Sequence, residues 1–235
     1  MMPIQPPNQP TRHEYVVLVH GLARSPRSLN RAERFFRRQG YEVFNFGYPS
    51  RKFPIETLSA EFLRPFIAAH CADETRRLHF LTHSMGGIVV RQYLKQTRLA
   101  NLGRVVMLAP PNQGSEVVDW QKKRLKMIRR VLGPAWAQLS TDAASLPVSL
   151  GAVDFELGVI AGNRSFEPLH SWFIIPGADD GKVSAERTKI PGMTDYLVVP
   201  RTHTFIMNDP NVLRQAAYFF ETGKFAAAPD YKGKR

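Results

Sequence analysis

Apolar and polar positions change period along the chain in a regular order. "EYVVLVH", residues 14–20, is a β-branched apolar run that stops at His20-Gly21, and "RAERFFRRQG" after it has helical spacing closed by Gly40. "YEVFNFGYP" reads as the next strand, ended by Pro49. "IETLSAEFLRPFIAAH" has the spacing of a helix that Pro65 either bends or enters near its first turn. "RLHFLTH" predicts a third strand ending at Thr82, "GGIVVRQYLKQT" a helix starting near Gly86, and "GRVVMLAPP" a fourth strand closed by Pro110-Pro111. Parallel strands must be joined by crossovers, so this alternation predicts an α/β fold, a mainly parallel central sheet flanked by helices.

From 115 to 155 the pattern turns to helices and loops without a clear strand. It resumes with "FELGVIAG", "SWFIIPG" and "DYLVVP" and ends in a helix, "NVLRQAAYFFETG". The interruption predicts a helical cap inserted at about 115–155, over the strand ends where ligands bind in open α/β sheets. The expected organisation is a flexible tail at 1–13, one domain at 14–222 and a basic tail at 223–235.

With 235 residues and 43% apolar composition, the chain can bury a sizeable core, which excludes a disordered protein. The proline-rich start, MMPIQPPNQPTRHE, has no apolar signal-peptide core, and no run is long enough to cross a bilayer. The single cysteine, Cys71, leaves no internal disulfide and no CxxC zinc motif. A soluble cytoplasmic protein is expected, with Cys71 as a buried structural thiol at the end of a helix.

Lysines and arginines outnumber acids 32 to 20, a net charge of +12. Much of the excess lies in "WQKKRLKMIRRVL", where Lys122, Lys123, Arg124, Lys126, Arg129 and Arg130 alternate with apolar residues as in a basic amphipathic helix. Such a helix forms a solvated face over an apolar underside, or lies on anionic lipid, or meets nucleic acid. No recognition motif supports nucleic acid, and charge alone speaks only to nonspecific attraction. The first expectation is the solvated face, with peripheral contact with an anionic membrane through 120–132 as the alternative, and no specific nucleic acid.

The chemistry starts from "LHFLTHSMGGIVVRQYL", residues 78–94, in which Ser84 stands between a strand pattern and a helix pattern. That places it at the apex of a sharp turn, a nucleophile elbow that lifts the hydroxyl off the sheet toward the helix N-terminus. Small residues are needed two positions to either side. Gly86 satisfies this, and Thr82 stands where a glycine is usual. Serine at neutral pH needs a base to take its proton and a carboxylate to orient that base.

Of seven histidines, His13 lies in the tail, His20 in the loop after the first strand, and His70 at a helix end. His79 sits inside a strand, His83 beside the serine, and His170 in an ill-defined loop. His203, in "LVVPRTHTF", follows the last strand and is the expected base. The acid is expected in "IIPGADDGKVS", as Asp180 with Asp179 as the alternate. Paired aspartates before Gly181 are also an ordinary turn signal.

"VLVHGL", "THSMGG", "APPNQGSEVVD", "DDGKVS" and "THTF" stand in an order that resembles the serine lipases and esterases of the α/β-hydrolase superfamily. Among these the chain looks most like bacterial lipases whose elbow reads AHSMGG or GHSQGG. The likeness runs from about 14 to 222 except for the cap. It implies an α/β-hydrolase fold, Asp180 as the triad acid, and an oxyanion hole made by the main-chain amides of Leu22 and Met85. "PPNQGSE" resembles a TPHxGS stretch that shapes the pocket.

Many related secreted lipases hold calcium through an aspartate two residues after the histidine. Phe205 stands there, so neither a metal nor a cofactor is expected. The resemblance implies a serine hydrolase that cleaves carboxylic esters through an acyl-enzyme and takes a small-molecule or lipid ester. A thioesterase, an acyltransferase or an amidase would use the same triad. A noncatalytic scaffold binding lipid or protein would not need Ser84.

Overall fold

Six segments form the strands, and the inner ones are buried on both faces, as strands of a covered parallel sheet must be, while the two at the sheet edges are only partly buried. In the computed structural model, which describes residues 12–124, 127–165 and 179–227, the six are β1 (Glu14–Val19), β2 (Glu42–Phe46), β3 (Arg77–His83), β4 (Leu102–Leu108), β5 (Leu157–Gly162) and β6 (Asp195–Val199). All neighbouring pairs are parallel, in the order β2-β1-β3-β4-β5-β6. The expected strand "SWFIIPG" lies outside the described residues.

Alternate side chains of β1 feed two cores. Tyr15, Val17 and Val19 point to one face, Val16 and Leu18 to the other. The first face is covered by the helical stretch 55–70, by α4 (Met85–Gln96) and by the insertion after β4. The second is covered by α1 (Asn30–Arg38) and by α9 (Pro210–Thr222). The chain therefore reverses its winding direction between β1 and β3, and the loops leaving their C-terminal ends diverge to opposite faces. A crevice at that point follows from the topology alone.

Three local details depart from the expected pattern. Strand β3 runs one residue further, to His83, because His83 pairs with Leu108 and the Ser84 amide donates to the Leu108 carbonyl at 2.9 Å. The stretch 55–70 is not a uniform α-helix. It comprises α2 (Ile55–Thr57), a π-helical segment (Leu58–Leu63) and α3 (Arg64–His70), with Pro65 in the first turn of α3. Proline has no N–H to donate and its ring crowds the preceding turn, which the wider π winding accommodates.

The third departure lies in the insertion, which is helical as expected: α5 (Glu116–Arg124), α6 (Ile128–Leu132), α7 (Pro134–Ala137) and α8 (Leu146–Ser149). The basic segment expected as one helix over 120–132 is broken, with Met127 in a turn. Two anchors flank the break. Asp119 on α5 accepts from the Thr141 amide and hydroxyl. Gly133, at φ +82°, packs so closely on Arg51 that a β-carbon would lie 1.7 Å from its carbonyl oxygen.

Outside the strands, the Arg12 guanidinium pairs with Glu221 at 2.5 Å, and the Phe225 amide donates to Asp195 at 2.7 Å. No helix among the described residues is long and apolar enough to cross a membrane.

Candidate active site

Ser84 occupies the turn between β3 and α4 with φ +53° and ψ −127°. A non-glycine residue in that region is strained, and it persists only where the surroundings hold it. They do so by close backbone approach. A β-carbon on Gly86 would lie 2.4 Å from the Val19 carbonyl oxygen, so α4 reaches β1 only because position 86 is glycine. Thr82 is buried beneath the turn, and Gly87 opposite it leaves the space its hydroxyl fills, 3.2 Å from where a β-carbon at 87 would sit. The bulk at Thr82 is thus accommodated by the second glycine of "MGG".

The base expected from the sequence, His203, lies in the loop after β6. Its Nδ1–H donates to Asp180 Oδ2 at 2.8 Å. Asp180 Oδ1 accepts from the amides of Lys182 and Val183 at 3.0 and 2.9 Å, so the carboxylate receives three hydrogen bonds. The His203 amide also donates to the Asp180 carbonyl at 2.9 Å, locking the two loops together by main chain as well. With Nδ1–H engaged, the Nε2 of the neutral ring is free to accept a proton. Asp179, the alternate acid, instead accepts from the Gly181 amide at 2.7 Å and shapes the turn.

Ser84, His83 and His203 line one cavity of about 290 Å³. Leu22 lines it too, and no described carbonyl accepts from its amide. Met85 is completely buried and is the first residue of α4, so its N–H has no partner within that helix. Ser84, Asp180, His203, Leu22 and Met85 all gather at the C-terminal edge of the sheet. Cys71 is remote from them, in the core at the end of α3, and burial pushes its thiol up to about 12, which keeps it protonated at neutral pH.

Two further histidines brace the site. His20 Nδ1–H donates to the Gly21 carbonyl at 2.8 Å, and its ring stacks on Tyr48, whose hydroxyl donates to the His20 carbonyl at 2.5 Å. Burial lowers the His20 pKa. His83 Nε2–H donates to the His203 carbonyl at 2.9 Å. Burial first, then the neighbouring His203, holds His83 well below the ordinary histidine range.

Some contributors were not foreseen from sequence. The insertion supplies the apolar wall, with Val118, Leu132, Trp136 and Leu139 lining the cavity. Ser115 Oγ donates to the Lys182 carbonyl at 2.7 Å, and Glu116 pairs with Arg187, so the root of the insertion clamps the loop carrying Asp180. Gly162 ends β5 where a β-carbon would lie 2.3 Å from the Arg201 carbonyl oxygen and 2.9 Å from Asp180 Cβ, which lets the acid and base loops close over the strand. The cap and the "PPNQGSE" stretch were expected near the pocket, whereas the clamp through Ser115 and Glu116 and the part played by Gly162 had no signal in the sequence.

The model of the alpha/beta hydrolase family matches residues 16–228. No curated protein matches the chain in sequence. Among solved structures, the mature Bacillus licheniformis lipase BlEst2 superposes with a TM-score of 0.64 at 19% identity, over 94% of this chain and 95% of that one. The metagenomic carboxyl esterase MGS0156 gives 0.66 at 18% identity, over 94% and 79%. Phospholipase PlaB from Legionella pneumophila gives 0.61 at 18% identity, over 75% of this chain and 45% of that one. At such identities the likeness is one of fold.

Proposed function

We propose that this chain, which belongs to the alpha/beta hydrolase family, is a serine hydrolase that cleaves carboxylic esters through an acyl-enzyme, with residues 14–222 as one catalytic domain. The observation that carries this reading is the 2.8 Å bond from His203 Nδ1 to Asp180, beside a cavity that Ser84 and His203 both line.

In this reading Ser84 Oγ attacks the ester carbonyl carbon while His203 Nε2 takes the hydroxyl proton. Asp180 fixes the ring tautomer and stabilises the imidazolium that forms. The amides of Leu22 and Met85 receive the charge that gathers on the carbonyl oxygen, where losing one such donor costs about 10²–10³ in rate. The carbon–oxygen bond to the alcohol then breaks, and His203 returns the proton to the departing alkoxide. Water repeats the sequence on the acyl-enzyme, releasing the acid and restoring Ser84. The apolar wall of Val118, Leu132, Trp136 and Leu139 suits an acyl chain.

The test is hydrolysis of a p-nitrophenyl ester series beside the matching acyl-CoA thioesters. Turnover of the esters that disappears in Ser84→Ala supports the assignment; turnover of thioesters alone assigns a thioesterase instead.

Peripheral membrane contact belongs to the same reading. Met127 is 68% and Val131 61% exposed on the insertion, among exposed Lys123, Arg124 and Arg130. Apolar side chains interspersed with cations suit an anionic lipid surface. Sedimentation with anionic but not neutral vesicles is expected, and equal sedimentation with both would remove this part.

A further inference from the structure

A second concavity, of about 240 Å³, adjoins the Ser84 cavity and shares Ala23 and Arg24 with it. Arg24, Arg51 and Lys52 line this recess, and Lys182 lines the main cavity. No aspartate or glutamate is among the described residues lining either space. Elsewhere Arg12, Arg37, Arg76, Arg104, Arg187 and Arg201 each face a carboxylate.

The recess is held open differently. Arg24 Nη2 donates to Thr204 Oγ1 at 3.3 Å and Arg51 Nη1 to the Val131 carbonyl at 3.4 Å. Neutral oxygens orient these guanidinium groups without cancelling their charge. Ser50, also in the wall, is buried and its Oγ accepts from the Ala23 amide at 3.1 Å, which leaves its own hydrogen to donate. Arg24, Arg51 and Lys52 are all solvent-exposed, and their like charges set a positive potential over the recess.

We propose that this recess is a phosphate subsite: the ester substrate carries a phosphate group on its alcohol portion, seated among Arg24, Arg51 and Lys52 while the acyl chain lies against the apolar wall. Three cations exceed what one carboxylate needs, and the planar guanidinium fork matches phosphate oxygens. The inference rests on the ester-hydrolase reading. Attack by Ser84 breaks the acyl carbon–oxygen bond, the phosphorylated alcohol leaves with the proton from His203, and water then releases the acid.

Two water-soluble esters with one acyl chain test it, 1-butyrylglycerol and 1-butyrylglycerol 3-phosphate. The expected kcat/KM of the wild type is higher for the phosphate ester by about tenfold or more, the worth of one charge-assisted contact. Arg24→Gln with Lys52→Gln should bring the ratio of the two toward unity, and added salt should shrink it in the wild type. Equal turnover of both esters by the wild type, or an unchanged ratio in the double variant, overturns the subsite.

Calorimetric titration of Ser84→Ala with glycerol 3-phosphate supplies a measurement independent of turnover. Binding weakened by the same two substitutions supports the subsite; an absence of binding overturns it. Binding without hydrolysis of either ester would refute the ester-hydrolase reading while leaving the phosphate site. Dependence of the two cations for vesicle attachment only, with no preference between the soluble esters, would make the recess a membrane contact and overturn the inference.

Discussion

The ring of His83 donates from Nε2 to the main-chain carbonyl of His203 at 2.9 Å, so the residue before Ser84 holds the backbone of the base 120 positions away. Its Nδ1 is buried without a partner among the described residues. Burial first, and then the neighbouring His203, Arg24 and His20, disfavour a positive charge on the ring. The bond thus works with a neutral imidazole.

Stability should therefore fall as acid is added. The unfolded His83 titrates near 6.5 and the folded ring well below it, so between those values the unfolded chain binds more protons. The stabilisation is complete above the unfolded pKa and is lost as pH drops toward the folded one. Thermal melts from about pH 7.5 to about pH 5.5 should show a falling Tm, and His83→Gln should flatten the slope. His20, also lowered by burial, leaves a residual slope in that variant. Identical slopes would contradict the assignment.

Asp180 and Asp179 are separated by their partners. Asp180→Asn preserves the shape but not the charge beside His203, and should lower kcat by about four orders of magnitude. Asp179→Asn keeps an acceptor for the Gly181 amide and should cost less than about tenfold. Steady-state kinetics on one p-nitrophenyl ester separate the two.

The elbow makes an opposite pair of stability predictions. Gly86→Ala forces a β-carbon to within 2.4 Å of the Val19 carbonyl oxygen, and should destabilise the fold by about 2 kcal/mol or more in urea titration. Thr82→Val keeps the volume and removes a buried hydroxyl with no partner among the described residues. It should leave stability unchanged or raise it by about 1 kcal/mol.

The sheet was legible because its inner strands are buried on both faces and read as mainly apolar runs, as "EYVVLVH" does between polar neighbours. Ser84 stood out because it follows directly on such a run, and His203 because it lies just beyond the last one. The break at Met127 was not legible, since charge and apolar spacing continue through it. One of the anchors that flank it, Gly133, packs on Arg51, far away in sequence. The part played by Gly162 depends on Arg201 and Asp180 converging over β5, which no local pattern encodes. The basic recess likewise joins the loops after β1 and β2, whose residues look like ordinary surface cations when read in line.

Intact-mass analysis after exposure to a fluorophosphonate tests the nucleophile most directly. The wild type should gain one adduct, mapped by peptide fragmentation to Ser84, while Ser84→Ala gains none and His203→Ala reacts far more slowly. An adduct on another residue, or equal labelling of wild type and Ser84→Ala, would contradict the proposed chemistry.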